Sequence, residues 1–279
     1  MRPVAVSTAL FDGYDLQAAI GEIAAAGATF VEPAFIRGYI DFAEDAFLPP
    51  QSSRIAGWIG QAGLRVMAVS AHCDLAAHNA VDMLRRRIAM AAELGAPVLI
   101  TNTGAAAERV RICAVLDGAL AACADSGVTL ALENPGHGEG DLIGTGADGA
   151  ALVAALDSPW LRLNYDVGNV LTYSEGRLAP DGGDLRQTLP AIAHLHLKDA
   201  LLADGHWRYT AIGDGAIDYA ALWPDIPATL PVAIELPLRL RRAVGAAPQR
   251  EPTPLPLPEL REALARSLRF VRALDAAPA

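Results

Sequence analysis

Residues 193–199 read AHLHLKD, and this stretch decides how the chain folds. Leu195 and Leu197 alternate with His194, His196 and Lys198, which is the period of two expected of a β-strand. In a strand covered by helices on one side, the leucines pack against the helices and the polar side chains occupy the other face. The stretch therefore predicts a strand whose inner face is polar.

Three other short runs repeat this alternation. They are LALE at 130–133, LRLNYD at 161–166 and VAIE at 232–235. Each run ends on a carboxylate of its polar face, and these carboxylates are Glu133, Asp166 and Glu235. Together with His196 they place an acid or a histidine near the carboxyl ends of four consecutive predicted strands.

Short β-type runs alternate with alanine-rich amphipathic stretches along the whole chain. The predicted strands lie at about 4–8, 29–33, 65–72, 97–102, 128–133, 161–166, 192–198 and 231–236. The predicted helices include 15–26, 80–94, 108–125 and 147–156. Eight such units predict an α/β fold, a (β/α)₈ TIM barrel forming a single domain over residues 1–279. The alternative is a doubly wound open sheet, but no GxGxxG motif follows the first strand.

Composition narrows the class of protein. The net charge of −10 argues against nucleic acid as the main partner, because that affinity comes largely from neutralising phosphates. The three cysteines, Cys73, Cys113 and Cys123, show no CxxC spacing and indicate reduced thiols. The first residues do not resemble a signal peptide, and no apolar run reaches the ~20 residues of a membrane span. We expect a cytoplasmic protein without a membrane partner.

The acids on the inner faces have a physical consequence. Carboxylates that converge in a barrel mouth repel one another and lose hydration, and a divalent cation relieves both effects. We therefore expect one divalent metal ion on Glu133, Asp166, His196 and Glu235. The set suits Mn²⁺, our first expectation, and also Mg²⁺, Co²⁺, Zn²⁺ or Fe²⁺. Each residue alone has an ordinary alternative, such as an arginine pair, a helix cap or a core histidine, but their matching parity favours the metal.

Several motifs follow one another between residues 130 and 237: LALENP, LNYDVGN, IAHLHLKDA, IGDGAIDY and VAIELP. With them the chain resembles the xylose isomerase-like sugar phosphate isomerase/epimerase superfamily. That group includes ketose 3-epimerases and inosose dehydratase and is distantly related to endonuclease IV. The resemblance covers nearly the whole chain. It implies a TIM barrel, a small sugar substrate and the same four metal ligands.

The resemblance also implies roles for individual residues. Glu133 and Glu235 are the expected catalytic acid/base pair as well as ligands. It also implies substrate contacts for His72 and Glu139, and the expected mechanism adds Asn102, Asn169 and Lys198. For Lys198 the alternative is an ion pair with a neighbouring carboxylate. Asn169 departs from the family pattern, because many epimerases have a histidine at this position of D-x-x-H, so the exact reaction stays open.

The expected reaction is isomerisation or epimerisation of a keto-sugar or polyol ketone, by proton transfer through a metal-bound enediolate. The first alternative is a lyase or dehydratase acting on an oxidised sugar, including cleavage of a C-glycoside. A metal-dependent phosphoesterase or AP endonuclease-like activity is less favoured, because the fourth strand ends in Thr101 and Asn102 without a further histidine. The loops at about 36–51 and 237–258 are expected on the barrel rim, as lids, as contacts of a homo-oligomer or as solvated insertions.

Overall fold

The computed structural model of the chain describes residues 2–134, 140–177 and 183–276. Fourteen strands lie within these residues. They are β1 (Val4–Ser7), β2 (Phe30–Glu32), β3 (Ala34–Phe35), β4 (Arg65–Val66), β5 (Val69–Ala71), β6 (Val98–Asn102), β7 (Thr129–Glu133), β8 (Leu161–Asp166), β9 (Ile192–Leu197), β10 (Asp199–Ala203), β11 (His206–Thr210), β12 (Val232–Ile234), β13 (Leu240–Ala243) and β14 (Gln249–Arg250).

Ten of these strands form a closed parallel barrel. β2 and β3 are two parts of one barrel strand interrupted at Pro33, and β4 and β5 are two parts of the next, interrupted at Met67 and Ala68. Because β2 pairs with β4, β3 pairs with β5 and β12 pairs with β1, the ring of eight barrel strands is complete. The strands follow one another around the ring in chain order, which confirms the predicted TIM barrel.

Nine α-helices lie in the described residues. They are α1 (Leu16–Ala25), α2 (Gln51–Gln61), α3 (Ala80–Glu93), α4 (Arg109–Ser126), α5 (Gly146–Leu156), α6 (Val167–Tyr173), α7 (Gly183–Thr188), α8 (Tyr219–Leu222) and α9 (Leu257–Ala276). The four predicted helices correspond to α1, α3, α4 and α5. Asp15 caps the start of α1 through a hydrogen bond from Ala18 N, and Gly127 ends α4 in the left-handed conformation that glycine adopts without strain.

The outward faces of the barrel strands form the main core with the helices. Leu130, Leu132, Leu195 and Leu197 are all fully buried, as the alternation in the sequence predicts. The inward faces of the strands form two small apolar clusters, one with Val98, Ile100 and Ala131 and one with Phe30 and Met67. The polar inward residues stand towards the carboxyl ends of the strands, where the barrel opens.

A second, antiparallel sheet lies in the connections after β9 and β12. Its strand order is β10-β11-β13-β14, so it joins the hairpin that follows β9 to the loop at 237–258. Arg250 of that loop also forms ion pairs with Asp12, in the loop after β1, and with Asp41, in the loop at 36–51. The loop at 237–258 is therefore held to the rest of the protein by strand pairing and ion pairs.

The loop at 36–51 packs on a small aromatic cluster. Phe35, Phe42 and Phe47 meet edge to face with ring centroids 5.1–5.7 Å apart. Glu44 of this loop accepts hydrogen bonds from the buried Arg87 of α3. No helix in the described part of the chain is both long and apolar enough to cross a membrane.

Candidate metal centre at the barrel mouth

The four predicted ligands come from four neighbouring barrel strands. Glu133 and Asp166 are the last residues of β7 and β8, His196 lies on β9, and Glu235 follows β12 directly. Parallel pairing sets Asp166 directly beside His196, while Glu133 lies beside Asn164 and His196 lies beside Ala233, two residues before Glu235. All four are buried, with at most 4% of their surface exposed.

The side chains converge on one nitrogen atom of His196. Its Nδ1 lies 2.8 Å from Glu133 Oε1, 3.4 Å from Glu235 Oε2 and 3.6 Å from Asp166 Oδ2. One ligand atom from each of the four residues lies within 4.8 Å of every other. The structure thus brings together the whole predicted ligand set.

Two buried carboxylate oxygens in this cluster, Asp166 Oδ2 and Glu235 Oε2, share one cationic partner. Lys198 Nζ lies 2.6 Å from both. Buried oxygens of this kind, together with an imidazole, form a donor set that fits a divalent cation. The cluster of Glu133, Asp166, His196 and Glu235 could therefore bind a metal ion.

The two glutamates have opposite electrostatic environments. Burial raises the pKa of Glu133 to about 7, His196 opposes the rise, and the charges of Glu235 and Asp166 add to it. Burial also acts to raise the pKa of Glu235, but the positive charges of Lys198 and His196 outweigh it and bring that pKa well below its usual range. Two carboxylates whose environments push their pKa values apart are the usual basis of an acid/base pair.

A second group of polar side chains lies beneath the cluster, deeper in the barrel. Glu32 at the end of β2 contacts His196 Nε2 through both carboxylate oxygens, at 3.0 and 3.2 Å. Asn164 of β8 donates from Nδ2 to Glu133 Oε1 at 3.1 Å, and its Oδ1 lies 2.8 Å from His194 Nδ1. The sequence placed His194 on the polar inner face of its strand, but it did not single out Glu32 or Asn164.

A network of amides fixes the position of Asp166. The Asp166 backbone N–H donates to Asn134 Oδ1 at 2.8 Å, and Asp166 Oδ1 accepts from the backbone N–H of Asn169 at 2.8 Å. Asn169 Nδ2 donates to the Asn134 carbonyl, and Asn169 Oδ1 accepts from Lys198. Asn169 thus lies in the site, with both ends of its amide bound to protein groups.

The other predicted contacts surround a cavity of about 340 Å³ above the cluster. His72 lies on its wall with Nε2 3.3 Å from Glu133 Oε2, and Asn102 lines it from the end of β6. Lys198 also lines the cavity. It forms ion pairs with Asp166 and Glu235, which was the alternative role that the sequence suggested for it. Predicted Glu139 lies outside the described residues. The described residues lining the cavity are Ile36, Arg37, Tyr39, His72, Cys73, Asp74, Asn102, Thr103, Gly104, Glu133, Asn169, Tyr173, Lys198, Glu235 and Pro248.

Comparison with known proteins gives the context of this site. The model of a family described as xylose isomerase-like TIM barrel matches residues 20–226, which is well over half of the chain. No curated protein matches the sequence closely enough to count as a relative.

Solved structures with the same fold include several sugar-modifying enzymes. A D-allulose 3-epimerase from Methylomonas sp. in complex with D-allulose superposes with a TM-score of 0.71 at 14% identity, covering 98% of this chain and 97% of the other. A 3-keto-D-glucoside 4-epimerase from E. coli gives 0.69 at 14% identity, covering 98% and 100%. A probable 3-DHS dehydratase from Bacillus anthracis gives 0.69 at 14% identity, covering 97% and 98%. These identities support the shared fold alone.

Proposed function

This chain belongs to the xylose isomerase-like TIM-barrel family, and we propose that it is a divalent-metal-dependent isomerase or epimerase of a keto-sugar or polyol ketone. The proposal draws its substrate class from the solved structures of the same fold, which include sugar epimerases. It draws its chemistry from the residues of this chain.

The observation that carries the proposal is the placement of two glutamates in one cavity. Glu133 and Glu235 line the same space, and two barrel strands, β8 and β9, separate their strands around the ring. A substrate carbon held between them would have a carboxylate on either side. That arrangement suits removal of a proton from one face of a carbon and delivery of a proton to the other, which inverts the centre.

Glu133, Asp166, His196 and Glu235 would hold the metal ion, with Mn²⁺ as our first choice. When bound, a divalent cation polarises a substrate carbonyl and makes the adjacent C–H more acidic. The convergence of three buried carboxylates on one imidazole supports this assignment, because a divalent cation would offset the repulsion among carboxylates that the Lys198 ammonium neutralises only in part.

Each glutamate has one oxygen turned towards the ligand cluster, so proton transfer would use the other. Glu133 Oε1 faces His196 while Glu133 Oε2 faces His72, which can orient the carboxylate for that transfer. We assign the first proton abstraction to Glu133, which keeps the substrate proton. The return of a proton to the opposite face is assigned to Glu235, whose carboxylate is ionised at rest and would relay that proton from solvent. Lys198 supplies an ammonium to a substrate hydroxyl or to developing negative charge on oxygen. His72, Asn102, Asn169 and Glu139 are proposed as substrate contacts.

One observation favours a second candidate reaction, dehydration of an oxidised sugar. Lys198 brings a buried cation into the same cavity as the two glutamates, and an ammonium can protonate a departing hydroxyl. A probable dehydratase is among the solved structures of this fold. The two reactions share proton removal by Glu133. They differ in the next step, which is return of a proton to carbon in one and loss of a hydroxyl in the other.

The proposal is tested with the metal-stripped protein reconstituted separately with Mn²⁺, Co²⁺ or Mg²⁺. A panel of keto-sugars and inososes is incubated in deuterated water, and products are analysed by mass and NMR. Isomerisation or epimerisation gives a product of unchanged formula with deuterium on carbon, whereas dehydration gives loss of water. A panel that exchanges no carbon-bound hydrogen in any metal form contradicts both reactions.

We also propose that the protein acts in the cytoplasm. Cys73, Cys113 and Cys123 are all free thiols in the structure, and Cys73 and Cys123 are buried. Free thiols are the rule in reducing compartments, which supports this location.

A further inference from the structure

The imidazole of His196 is held from both sides. Its Nδ1 faces the three carboxylates of the candidate metal centre, and its Nε2 faces Glu32 at 3.0 and 3.2 Å. Both His196 and Glu32 are fully buried. Water therefore does not compete for Nε2, and Glu32 is the charged group that determines its hydrogen bonding.

We propose that Glu32 is a positioning residue for the metal centre: it accepts the Nε2–H of His196 and so keeps the Nδ1 lone pair directed at the metal. This inference rests on the proposed metal-dependent function and adds a residue that the predicted ligand set does not contain. A carboxylate behind a ligating histidine fixes the ring orientation and raises its basicity as a ligand.

The geometry separates this role from that of a fifth ligand. Nδ1 and Nε2 point to different sides of the imidazole ring, so a carboxylate bonded to Nε2 lies across the ring from the ion at Nδ1. Glu32 comes from β2, which is separated from β9 around the barrel by β1 and β12. Its carboxylate therefore approaches His196 from the wall opposite β7 and β8.

The neighbouring histidine does not share this hydrogen bond. Asn164 Nδ2 faces Glu133 Oε1, so Asn164 Oδ1 is the oxygen that accepts from His194 Nδ1. His194 Nε2 lies 3.5 Å from Glu32 Oε2 and forms no hydrogen bond with any described residue. Among the ring nitrogens near Glu32, the short contact is therefore with His196.

Metal affinity is the direct measure of such a role. Loss of a carboxylate behind a metal-ligating histidine typically weakens metal binding about 10–100-fold. Glu32→Gln keeps the size of the side chain but removes its charge, and its amide no longer requires Nε2 to be the donor. The matched control is Asp12→Asn, which also neutralises a buried carboxylate but lies on the rim, bonded to Arg239 and Arg250.

The experiment measures the dissociation constants of Mn²⁺ and Co²⁺ by competition with a chelator in the full-length protein. We expect Glu32→Gln to raise them at least tenfold and Asp12→Asn to leave them within twofold of the wild type. Equal affinity of Glu32→Gln and wild type overturns the inference while leaving the proposed function intact. If the wild type binds no divalent metal, the proposed function itself is wrong, and this inference with it.

A spectroscopic readout reports on the hydrogen bond itself. In the Zn²⁺-loaded protein labelled with ¹⁵N-histidine, the Nε2–H of His196 should give a downfield proton signal protected from exchange with water. In Glu32→Gln that signal should move upfield or exchange rapidly, and an unchanged signal overturns the inference. If Glu32→Gln does not fold, Glu32→Asp, which retracts the carboxylate by one methylene, is judged by the same two measurements.

Discussion

Lys198 Nζ lies 2.6 Å from Glu235 Oε2, the same oxygen that lies 3.4 Å from His196 Nδ1. The ammonium makes an equal approach to Asp166 Oδ2. Lys198 is the only lysine of the sequence, and 4% of its surface is exposed. A divalent cation and this ammonium would thus be attracted by the same two oxygens. In the metal-free protein Lys198 acts as the internal counter-ion of the carboxylate cluster.

Lys198→Met should therefore destabilise the metal-free protein far more than the metal-loaded one. Removing one partner of a buried ion pair lowers the free energy of unfolding by about 3–5 kcal/mol. A bound divalent cation would compensate the carboxylate charge that is left unpaired. Thermal unfolding with a chelator and with saturating Mn²⁺ measures the difference. Arg87→Met is the control, because Arg87 is a buried cation paired with Glu44 outside the cluster and should lose equal stability under both conditions. Equal losses for Lys198→Met would contradict the counter-ion role.

The four residues of the candidate metal centre could be predicted from the sequence because strands β7 to β9 and β12 alternate cleanly. Leu130 and Leu132 fill the helix-facing layer, so Glu133 could only face the interior, and the same parity holds for Asp166 and His196. Because backbone geometry makes successive side chains of a strand point to opposite faces, this part of the site could be predicted from the sequence.

The alternation of the sequence did not predict Glu32 as part of the site. Its strand is short and is broken at Pro33, and Phe30 shares the inward face, packing against Ala5 and Met67. A large apolar residue on the inner face conceals the polar character that marked the other strands. The signal that could have found Glu32 is its position at the carboxyl end of a strand, where acids of barrel proteins gather.

The sheet formed by β10, β11, β13 and β14 was also missed. It consists of two hairpins, β10–β11 and β13–β14, that are joined by the pairing of β11 with β13. That pairing sets residues more than 30 positions apart beside each other, such as Trp207 and Arg242. Sequence alternation does not reveal partners at that separation, so the loop at 237–258 looked irregular. Strand pairing here is a tertiary property.

Glu133→Gln should abolish exchange of substrate C–H with solvent deuterium while the protein stays folded. Loss of a positioned general base typically lowers the rate about 10²–10⁴-fold. The measurement is deuterium incorporation at saturating metal, compared with Glu44→Gln as a glutamate variant remote from the cluster. Retention of full exchange by Glu133→Gln would refute its assignment as the base.

Asp166→Asn should abolish the thermal stabilisation that a metal provides. A ligand present at 100 times its dissociation constant stabilises the folded state by about 2.7 kcal/mol, which appears as a rise in Tm. We expect Mn²⁺ to raise the Tm of the wild type and a chelator to reverse the rise. The control is Asp184→Asn. Asp184 accepts a hydrogen bond from the Tyr165 hydroxyl on the helix-facing side, so this variant should keep the metal response. A full metal response in Asp166→Asn would exclude Asp166 as a ligand.

Glu44→Gln should loosen the loop at 36–51 in a pH-dependent way. Burial opposes ionisation of Glu44, but hydrogen bonds from Arg87 and Arg37 outweigh it and lower the pKa below the ordinary 4.5. Because the folded pKa is depressed, the stabilisation is fully present above pH 4.5 and declines as the pH falls through the lower folded value. The Tm difference between wild type and Glu44→Gln should therefore be largest near neutrality and shrink in acid. Glu262→Gln, an exposed change on α9, should show little difference throughout. A Glu44→Gln difference that stays constant from pH 7 into the acid range would show that packing, and not the charge of Glu44, holds this loop.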